Sequence, residues 1–295
     1  MIYTKISSGL GNQLFQYALA RQLSLKSNIP LKLDISFYDT QNLRNYKLDH
    51  YNIKASIATK DEVEHLLSVY NRKSIYSKLY NGIERRLPKY FKKHYYEDEW
   101  WVFEPEVFKT FGNVYLDGYW QNYKYFQNFD KRIFNEFTLK HDYSVEYKII
   151  SVIQQDPLSV SLHIRRGDYV NDSYAKNLMG ILPLDYYYKA IKYLKEKLIR
   201  PSFYIFSDDL EWAKNNLHID TDVTYMDIEN GNKDYLELYM MSLCRNNVIA
   251  NSSFSWWGAF LNQNPNKIII TPAQWVQSDI TNSKINIQFP NWVKL

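Results

Sequence analysis

The chain has a single cysteine, Cys244, among 295 residues. One thiol excludes a disulfide framework and a thiolate metal site. Its place after the apolar run Leu238-Tyr239-Met240-Met241-Ser242-Leu243 reads as packing, and the pattern fits a reducing compartment. No stretch reaches the roughly 18 apolar residues of a membrane-spanning helix, and residues 1–20 lack the basic start and long apolar centre of an export signal. A cytoplasmic location is therefore expected. The histidines, His50, His65, His94, His141, His163 and His218, show neither HxxxH nor HExxH spacing, so no metal site is expected. The phosphate-binding GxxxxGKS/T, the dinucleotide GxGxxG and the nucleophile elbow GxSxG are all absent. Asp220-Thr221-Asp222 is formally DxD, but it precedes an apolar run instead of following one, and reads as a turn.

What is present is a core-forming composition, with 45% hydrophobic and 23% charged residues. The length suits one large domain or two of about 140 residues. Residues 2–6 read as a strand, 7–11 as a loop, 12 to 26 as an amphipathic helix that Asn12 would cap, and 31–35 as a second strand. Residues 40–112 are less regular, with helical spacing over 61–70 and aromatics at Tyr95, Tyr96, Trp100, Trp101 and Phe103. From Asp156-Pro157 the pattern alternates: strands at 158–164, 202–206 and 223–226 are followed by helices at 184–197, 210–217 and 235–243, and strands at 247–250 and 267–271 come last. That alternation predicts a parallel sheet with helices on both faces.

Three strand exits carry polar clusters. Leu158, Val160, Leu162 and Ile164 alternate with other residues, and the run ends in His163, Arg165, Arg166, Gly167 and Asp168. The run 203–206 ends in Ser207-Asp208-Asp209, and the run 248–250 in Asn251-Ser252-Ser253. Ligands of open α/β sheets bind at such exits. Arginine holds phosphate through a planar fork, a serine-capped helix start offers amides to phosphate oxygens, and paired carboxylates can accept from the donor-donor edge of guanine. Each cluster alone reads equally as a surface ion pair or a helix cap; three in one half of the chain favour a site. Adjacent strand-end side chains diverge, so one of Arg165 and Arg166 is expected to face a ligand while the other braces a loop or carboxylate.

His163 to Asp168 in the form HxRRxD, Phe206-Ser207-Asp208-Asp209, and Asn251-Ser252-Ser253-Phe254-Ser255-Trp256-Trp257-Gly258-Ala259 resemble motifs of glycosyltransferase family 11, the α-1,2-fucosyltransferases. That family lies within a wider group holding α-1,6- and protein O-fucosyltransferases. Ser8-Gly9-Leu10-Gly11-Asn12-Gln13-Leu14-Phe15-Gln16-Tyr17-Ala18 resembles its opening GGLGNQ(L/M)FQYA, with Ser8 in place of the first glycine. Leu116 to Gln121 and Thr271 to Trp275 are similar to further family segments, so the likeness runs to about residue 276.

The resemblance implies an α/β, GT-B-like fold of two Rossmann-like lobes with a donor cleft between them. An acceptor-side lobe, 1–153, would carry the loop 7–13, and a GDP-sugar-binding lobe, 154–295, a parallel sheet with helices on both faces. It implies inverting, metal-independent transfer of L-fucose from GDP-β-L-fucose to a galactoside hydroxyl in α-1,2 linkage, without a cofactor, in bacterial surface-glycan synthesis. By position His163 would touch guanine or ribose, Arg165 the β-phosphate, Asp208 and Asp209 the guanine edge, and Asn251, Ser252, Ser253, Phe254 and Ser255 the donor and its phosphates. Gly9 and Gly11 would admit close backbone approach, and Asn12 would reach fucose and the bridging oxygen. The general base stays open. Ser173 stands where the α-1,6 enzymes have a candidate glutamate, with Asp172 adjacent, and Asp168 reads better as orienting the arginine loop than as a base, since a carboxylate held by guanidiniums is a poor proton acceptor.

Two other readings are a transferase using another GDP-sugar, such as GDP-mannose, and a non-catalytic glycan-binding protein, which would leave Arg165, Arg166 and Asp209 unexplained. The net charge of +4 is unevenly placed: Arg72, Lys73, Lys78, Arg85, Arg86, Lys89, Lys92 and Lys93 face Glu84 alone. With Tyr76, Tyr80, Tyr90 and Phe91 interleaved, residues 72–94 read as a solvated helix pair or as a contact with an anionic membrane, which would suit a lipid-linked, galactose-terminated acceptor. No nucleic-acid module accompanies the segment, and no nucleic-acid partner is expected.

Overall fold

The computed structural model describes residues 1–70, 82–84, 86–229 and 233–295, without the side chains of Val69, Asp168 and Asn171. It divides into two compact units, Met1–Lys140 and His141–Leu295. The break falls ahead of residue 153, where it was expected, because the helix Ile149–Gln155 packs on the helix Asp234–Leu243 and buries Ile150 and Ile153.

In the first unit β1 (Ile2–Lys5), β2 (Leu31–Asp34), β3 (Ser56–Ile57), β4 (His94–Tyr96) and β5 (Val114–Asp117) form a sheet in the order β3-β2-β1-β5-β4, every pairing parallel. The helix joining β1 to β2 spans Leu10–Ser27 and starts earlier than the sequence suggested. Gly9 occupies its N-cap, and the Asn12 amide donates to the Gly9 carbonyl at 3.0 Å from inside the first turn. Asn12 is therefore not the cap, and Gly11 is a buried helical residue, not part of a loop. Nor is the helix simply amphipathic. Leu14, Phe15, Tyr17, Ala18 and Leu19 are all fully buried, and the Tyr17 hydroxyl and the Arg21 guanidinium both reach the buried Glu136, Arg21 at 2.8 Å.

In the second unit β6 (Ser159–Ile164), β7 (Ser202–Ser207), β8 (Val223–Tyr225), β9 (Asn246–Val248), β10 (Ile269–Thr271) and β11 (Val293–Lys294) form a parallel sheet in the order β11-β10-β9-β6-β7-β8. All six residues of β6 are buried, as a sheet with helices on both faces requires. A central parallel strand is covered on both sides. Val160, Leu162 and Ile164 pack with Tyr187, Ala190 and Leu194 of the helix Leu184–Lys197. On the other face the Asn247 amide donates to the Ser161 hydroxyl at 2.7 Å and the Asn262 amide to Asn247 Oδ1 at 2.7 Å, so buried polar atoms satisfy one another. The helix Ser253–Leu261 lies against Asp234–Leu243 so closely that a Cβ at Gly258 would stand 2.8 Å from Met241 Cβ. Cys244 is buried, as its apolar run predicts.

Candidate functional site

Because β9, β6 and β7 are neighbours, the three motif-bearing exits open side by side at their C-terminal ends, the ligand-binding position of an open α/β sheet. Arg165 Nη1 donates to Asp208 Oδ2 at 2.8 Å, and the backbone amide of Arg166 donates to Asp208 Oδ1 at 2.8 Å. Arg166 Nε donates to Asp209 at 3.3 Å, and its guanidinium lies 3.7 Å from the centre of the Trp212 ring. Gly167 permits the first of these pairs, since a Cβ there would meet Asp208 Oδ2 at 2.7 Å. Tyr169 ties this loop to the third exit: its hydroxyl donates to the Asn251 carbonyl at 3.0 Å, and the Arg165 guanidinium sits 5.6 Å from its ring.

His163, 4% exposed, packs 5.6 Å from the ring of Phe254, and its Nδ1 is buried with no hydrogen-bond partner among the described residues. Burial, reinforced by Arg165 and opposed by Asp208, lowers its pKa to about 3, so the imidazole is neutral at pH 7. Ser252 caps the helix Ser253–Leu261, accepting from the Phe254 amide at 3.3 Å, and the buried Ser255 hydroxyl donates to the Ser252 carbonyl at 3.4 Å. Asn251 serves the scaffold: its amide donates to the carbonyls of Met179, Gly180 and Trp275 at 2.8 to 3.3 Å.

Several expected roles change in detail. Asp208 and Asp209 are both engaged by guanidiniums, and Asp209 also caps the helix Leu210–Asn216 through the Trp212 amide at 3.1 Å. Asp172 caps the helix Ser173–Met179, its Oδ1 accepting from the amides of Tyr174 and Ala175 at 2.8 and 3.2 Å. The side chain of Asp168 lies outside the described residues. Asp220 and Asp222 pair with Lys195 and Arg200 at the surface, and among the described residues no group of His, Cys, Asp or Glu could hold a metal ion.

Glu237 is a buried acid near Asp208 that the sequence reading did not single out. It lies in the apolar helix Asp234–Leu243, and burial, with Asp234, Asp227 and Asp208 nearby, raises its pKa to about 8. A lone acid inside Leu236-Glu237-Leu238 was the available signal. Tyr169, next to the arginine motif, was missed as the link between exits.

Residues 7–13, a short loop followed by the first helical turn, belong to the first unit. Ser8, where the resembled family has glycine, adopts φ 65°, the left-handed region that glycine enters without a steric cost. Its carbonyl accepts from Gln13 Nε2 at 3.0 Å and from the Tyr38 hydroxyl at 2.9 Å, and its hydroxyl lies 3.2 Å from that of Tyr119. Gly9 has open space where a Cβ would stand, and Asn12 Oδ1 accepts from Gln121 Nε2 at 2.7 Å.

Residues 1–295 match the family model described as glycosyl transferase family 11. The chain belongs to this family. WbnK, an O-antigen biosynthesis glycosyltransferase of Escherichia coli, is 31% identical to this family 11 protein over the whole of both chains. An alpha-1,2-colitosyltransferase of Escherichia coli is 33% identical over 96% of this chain and 95% of its own. In structure, the family 11 protein is similar to the NodZ alpha-1,6-fucosyltransferase of Bradyrhizobium soaked with GDP-fucose, with a TM-score of 0.51 at 14% identity over 95% of each chain. The fold is thus the GT-B-like α/β fold of fucosyltransferases, and the protein is a glycosyltransferase.

Proposed function

We propose that this family 11 glycosyltransferase moves L-fucose from GDP-β-L-fucose to a galactoside hydroxyl, forming an α-1,2 linkage with inversion and without a metal ion, in the assembly of a surface glycan such as O-antigen. The observation that carries the reading is the Arg165–Asp208 and Arg166–Asp209 pairing at adjacent exits, beside a serine-capped helix start. In this reading the acceptor oxygen bonds to the sugar C1 as the bond from C1 to the phosphate oxygen breaks, and the acceptor proton leaves. The negative charge that grows on GDP is met by the Arg165 guanidinium and the first-turn amides of Ser253–Leu261, fixed donors that need no reorganisation as charge develops. Neutral His163 packs beside the nucleotide without adding charge. Asp208 and Asp209 already serve guanidiniums, so in this reading the buried Glu237 is proposed to accept from the guanine edge. Asn12 acts on the sugar end of the donor.

A second donor is favoured by the 33% identical colitosyltransferase. Colitose is L-fucose without one hydroxyl. A site built to bond that hydroxyl rejects the deoxy sugar by about 10⁴-fold, whereas a merely apolar pocket cannot separate the two. Transfer assays with GDP-fucose, GDP-colitose and GDP-mannose in excess chelator, followed by linkage analysis of the product, test both readings. Loss of activity in chelator, an absence of transfer from every GDP-sugar, or a linkage other than α-1,2 would refute the proposal.

The acceptor is proposed to be lipid-linked, with the enzyme at the cytoplasmic face of a membrane. Phe91 and Phe111 are 48% and 62% exposed and touch edge to face at 5.6 Å, and Lys109 lies 5.4 Å from the neighbouring Tyr90 ring. Lys109 also lies 3.6 Å from Glu106, so the exposed rings carry the case for a lipid surface. Lys89 does not contribute: it is paired with Glu104 at 2.7 Å and Asp98 at 3.0 Å. Arg72, Lys73, Tyr76, Lys78, Tyr80 and Arg85 lie outside the described residues. No described helix is long and apolar enough to cross a membrane.

A further inference from the structure

Within the first unit, Ser8 and Tyr119 touch through their side chains, and left-handed backbone lies on both sides of the contact. Ser8 has φ 65°, and Trp120, next to Tyr119, has φ 59°. Outside glycine such conformations persist when the surroundings over-determine them, and they collect where a ligand is held. Both turns are over-determined here. The Ser8 carbonyl accepts from Gln13 Nε2 and the Tyr38 hydroxyl, and Gln13, fully buried, also donates to the Asn45 carbonyl and accepts from the Lys47 amide, each at 2.9 Å. Opposite, Glu97, 4% exposed, takes the amides of Tyr119 at 2.6 Å and of Trp120 at 3.0 and 3.1 Å. Gly118 sits so close that a Cβ would stand 2.5 Å from Glu97 Cβ.

The two anchored turns bring the Ser8 and Tyr119 hydroxyls to 3.2 Å. Two hydroxyls that bond each other use one of their two hydrogens. Neither has another hydrogen bond among the described residues, so one O–H is left to donate and lone pairs are left to accept. Both residues are partly exposed, the space where a Gly9 Cβ would stand is empty, and the rings of Tyr38 and Tyr46 lie alongside, 6.2 Å apart. Neutral groups that both donate and accept, next to aromatic rings, suit a pyranose, whose hydroxyls do both and whose C–H face packs on a ring. Glycine at position 8, as in the resembled motif, would make the same turn without strain; serine keeps the strain and adds the hydroxyl.

We propose that the Ser8–Tyr119 hydroxyl pair determines specificity: it bonds one hydroxyl of a pyranose substrate, so that a sugar lacking that hydroxyl is rejected. In the transferase reading, on which this proposal rests, residues 7–13 serve the sugar, and the hydroxyl belongs either to the donor sugar or to the acceptor galactoside. Transfer rates separate the two sources. One arm compares GDP-fucose with GDP-colitose, and the other a methyl β-galactoside with its monodeoxy derivatives. In one arm the wild type should favour the complete sugar by about tenfold or more in kcat/KM, the effect of a neutral hydrogen bond. Ser8→Gly and Tyr119→Phe should each reduce that preference to about threefold or less, mainly through KM, and the double variant should reduce it no further. GDP affinity should be unchanged, and Ser8→Gly should melt no lower than wild type, because glycine enters φ 65° freely. If Tyr119→Phe does not fold, Ser8→Gly decides alone. A wild type that discriminates in neither arm, or discrimination kept in full by both variants, would overturn the proposal. Equal losses on complete and deoxy sugars with a lowered melting temperature would overturn it too, since a merely structural contact behaves that way. Absence of transfer by the wild type from every GDP-sugar would instead remove the transferase reading itself.

Discussion

The guanidinium carbon of Arg166 lies 3.7 Å from the centre of the Trp212 ring, while its Nε reaches Asp209 at 3.3 Å. Arg165 repeats the arrangement with Tyr169 at 5.6 Å and Asp208 at 2.8 Å. Adjacent side chains do diverge, as the strand geometry requires, but each finds a ring and a carboxylate. Each guanidinium is thus braced by one ring and one carboxylate.

The two arginines should separate by chemistry. Arg165→Lys keeps the charge and loses the planar fork, so turnover should fall about 10²-fold or more while the melting temperature changes little. Arg166→Lys should retain most turnover and instead lower stability, because stacking on an aromatic ring contributes about 0.5–2 kcal/mol. Melting curves and initial rates on the same preparations check this; a turnover loss in Arg166→Lys equal to that in Arg165→Lys would mean that both guanidiniums act on the donor.

His163 should make stability fall in acid. Its folded pKa of about 3 lies below the ordinary 6.5, so between those values the unfolded chain takes up a proton that the folded chain refuses. The contribution is complete above pH 6.5 and is lost progressively as pH falls toward 3. His163→Gln removes the titrating group, so its stability relative to wild type should improve between pH 7.5 and 4.5. Parallel melting-temperature profiles for the two proteins would show that His163 does not titrate in this way.

The second unit was largely legible because its strands and helices carry their own periodicities. The helix at 184–197 has the bounds the spacing predicts, and Ser252 caps the helix that the serines foreshadowed. What could not be read depends on tertiary contact. Nothing local shows that Glu97 would bind the amides of residues 119 and 120, or that Gln121 would meet Asn12 across 109 positions. The N-terminal helix misled for a related reason: Asn12 resembles a cap by type, yet Gly9, which has no cap side chain, begins the helix, freeing Asn12 for another contact. The alternation in β6 likewise gave no sign of which group would satisfy Ser161, which the buried amide of Asn247 does.

Membrane contact, if it involves the exposed ring pair, should depend on Phe91 and Phe111 more than on Lys89, whose charge is spent inside the unit. Phe91→Ser with Phe111→Ser should reduce sedimentation with vesicles containing phosphatidylglycerol, leave sedimentation with neutral vesicles low throughout, and leave transfer to a soluble acceptor intact. Added salt should weaken the wild-type association, since the lysines there act through a screened field. Equal sedimentation of wild type and double variant would reduce the patch to ordinary exposed surface.

Glu237 should couple nucleotide binding to a proton. At pH 7 its carboxyl, raised to about 8 by burial and by Asp234, Asp227 and Asp208, is mostly protonated, whereas accepting from the two N–H groups of the guanine edge requires the ionised form. Binding must then expel a proton, so GDP affinity should rise with pH, by up to tenfold per unit, and level off above about 8. Calorimetry in buffers of different ionisation enthalpy measures that release directly. Glu237→Gln has no proton to lose and offers one acceptor with one donor, so it should release fewer protons than wild type, bind GDP more weakly, and discriminate less between GDP and ADP. The phosphate contribution to proton exchange is common to both proteins and cancels in the comparison. If the variant keeps both the proton release and the preference for guanine, the base is read elsewhere, and Glu237 is a buried acid of the helix alone.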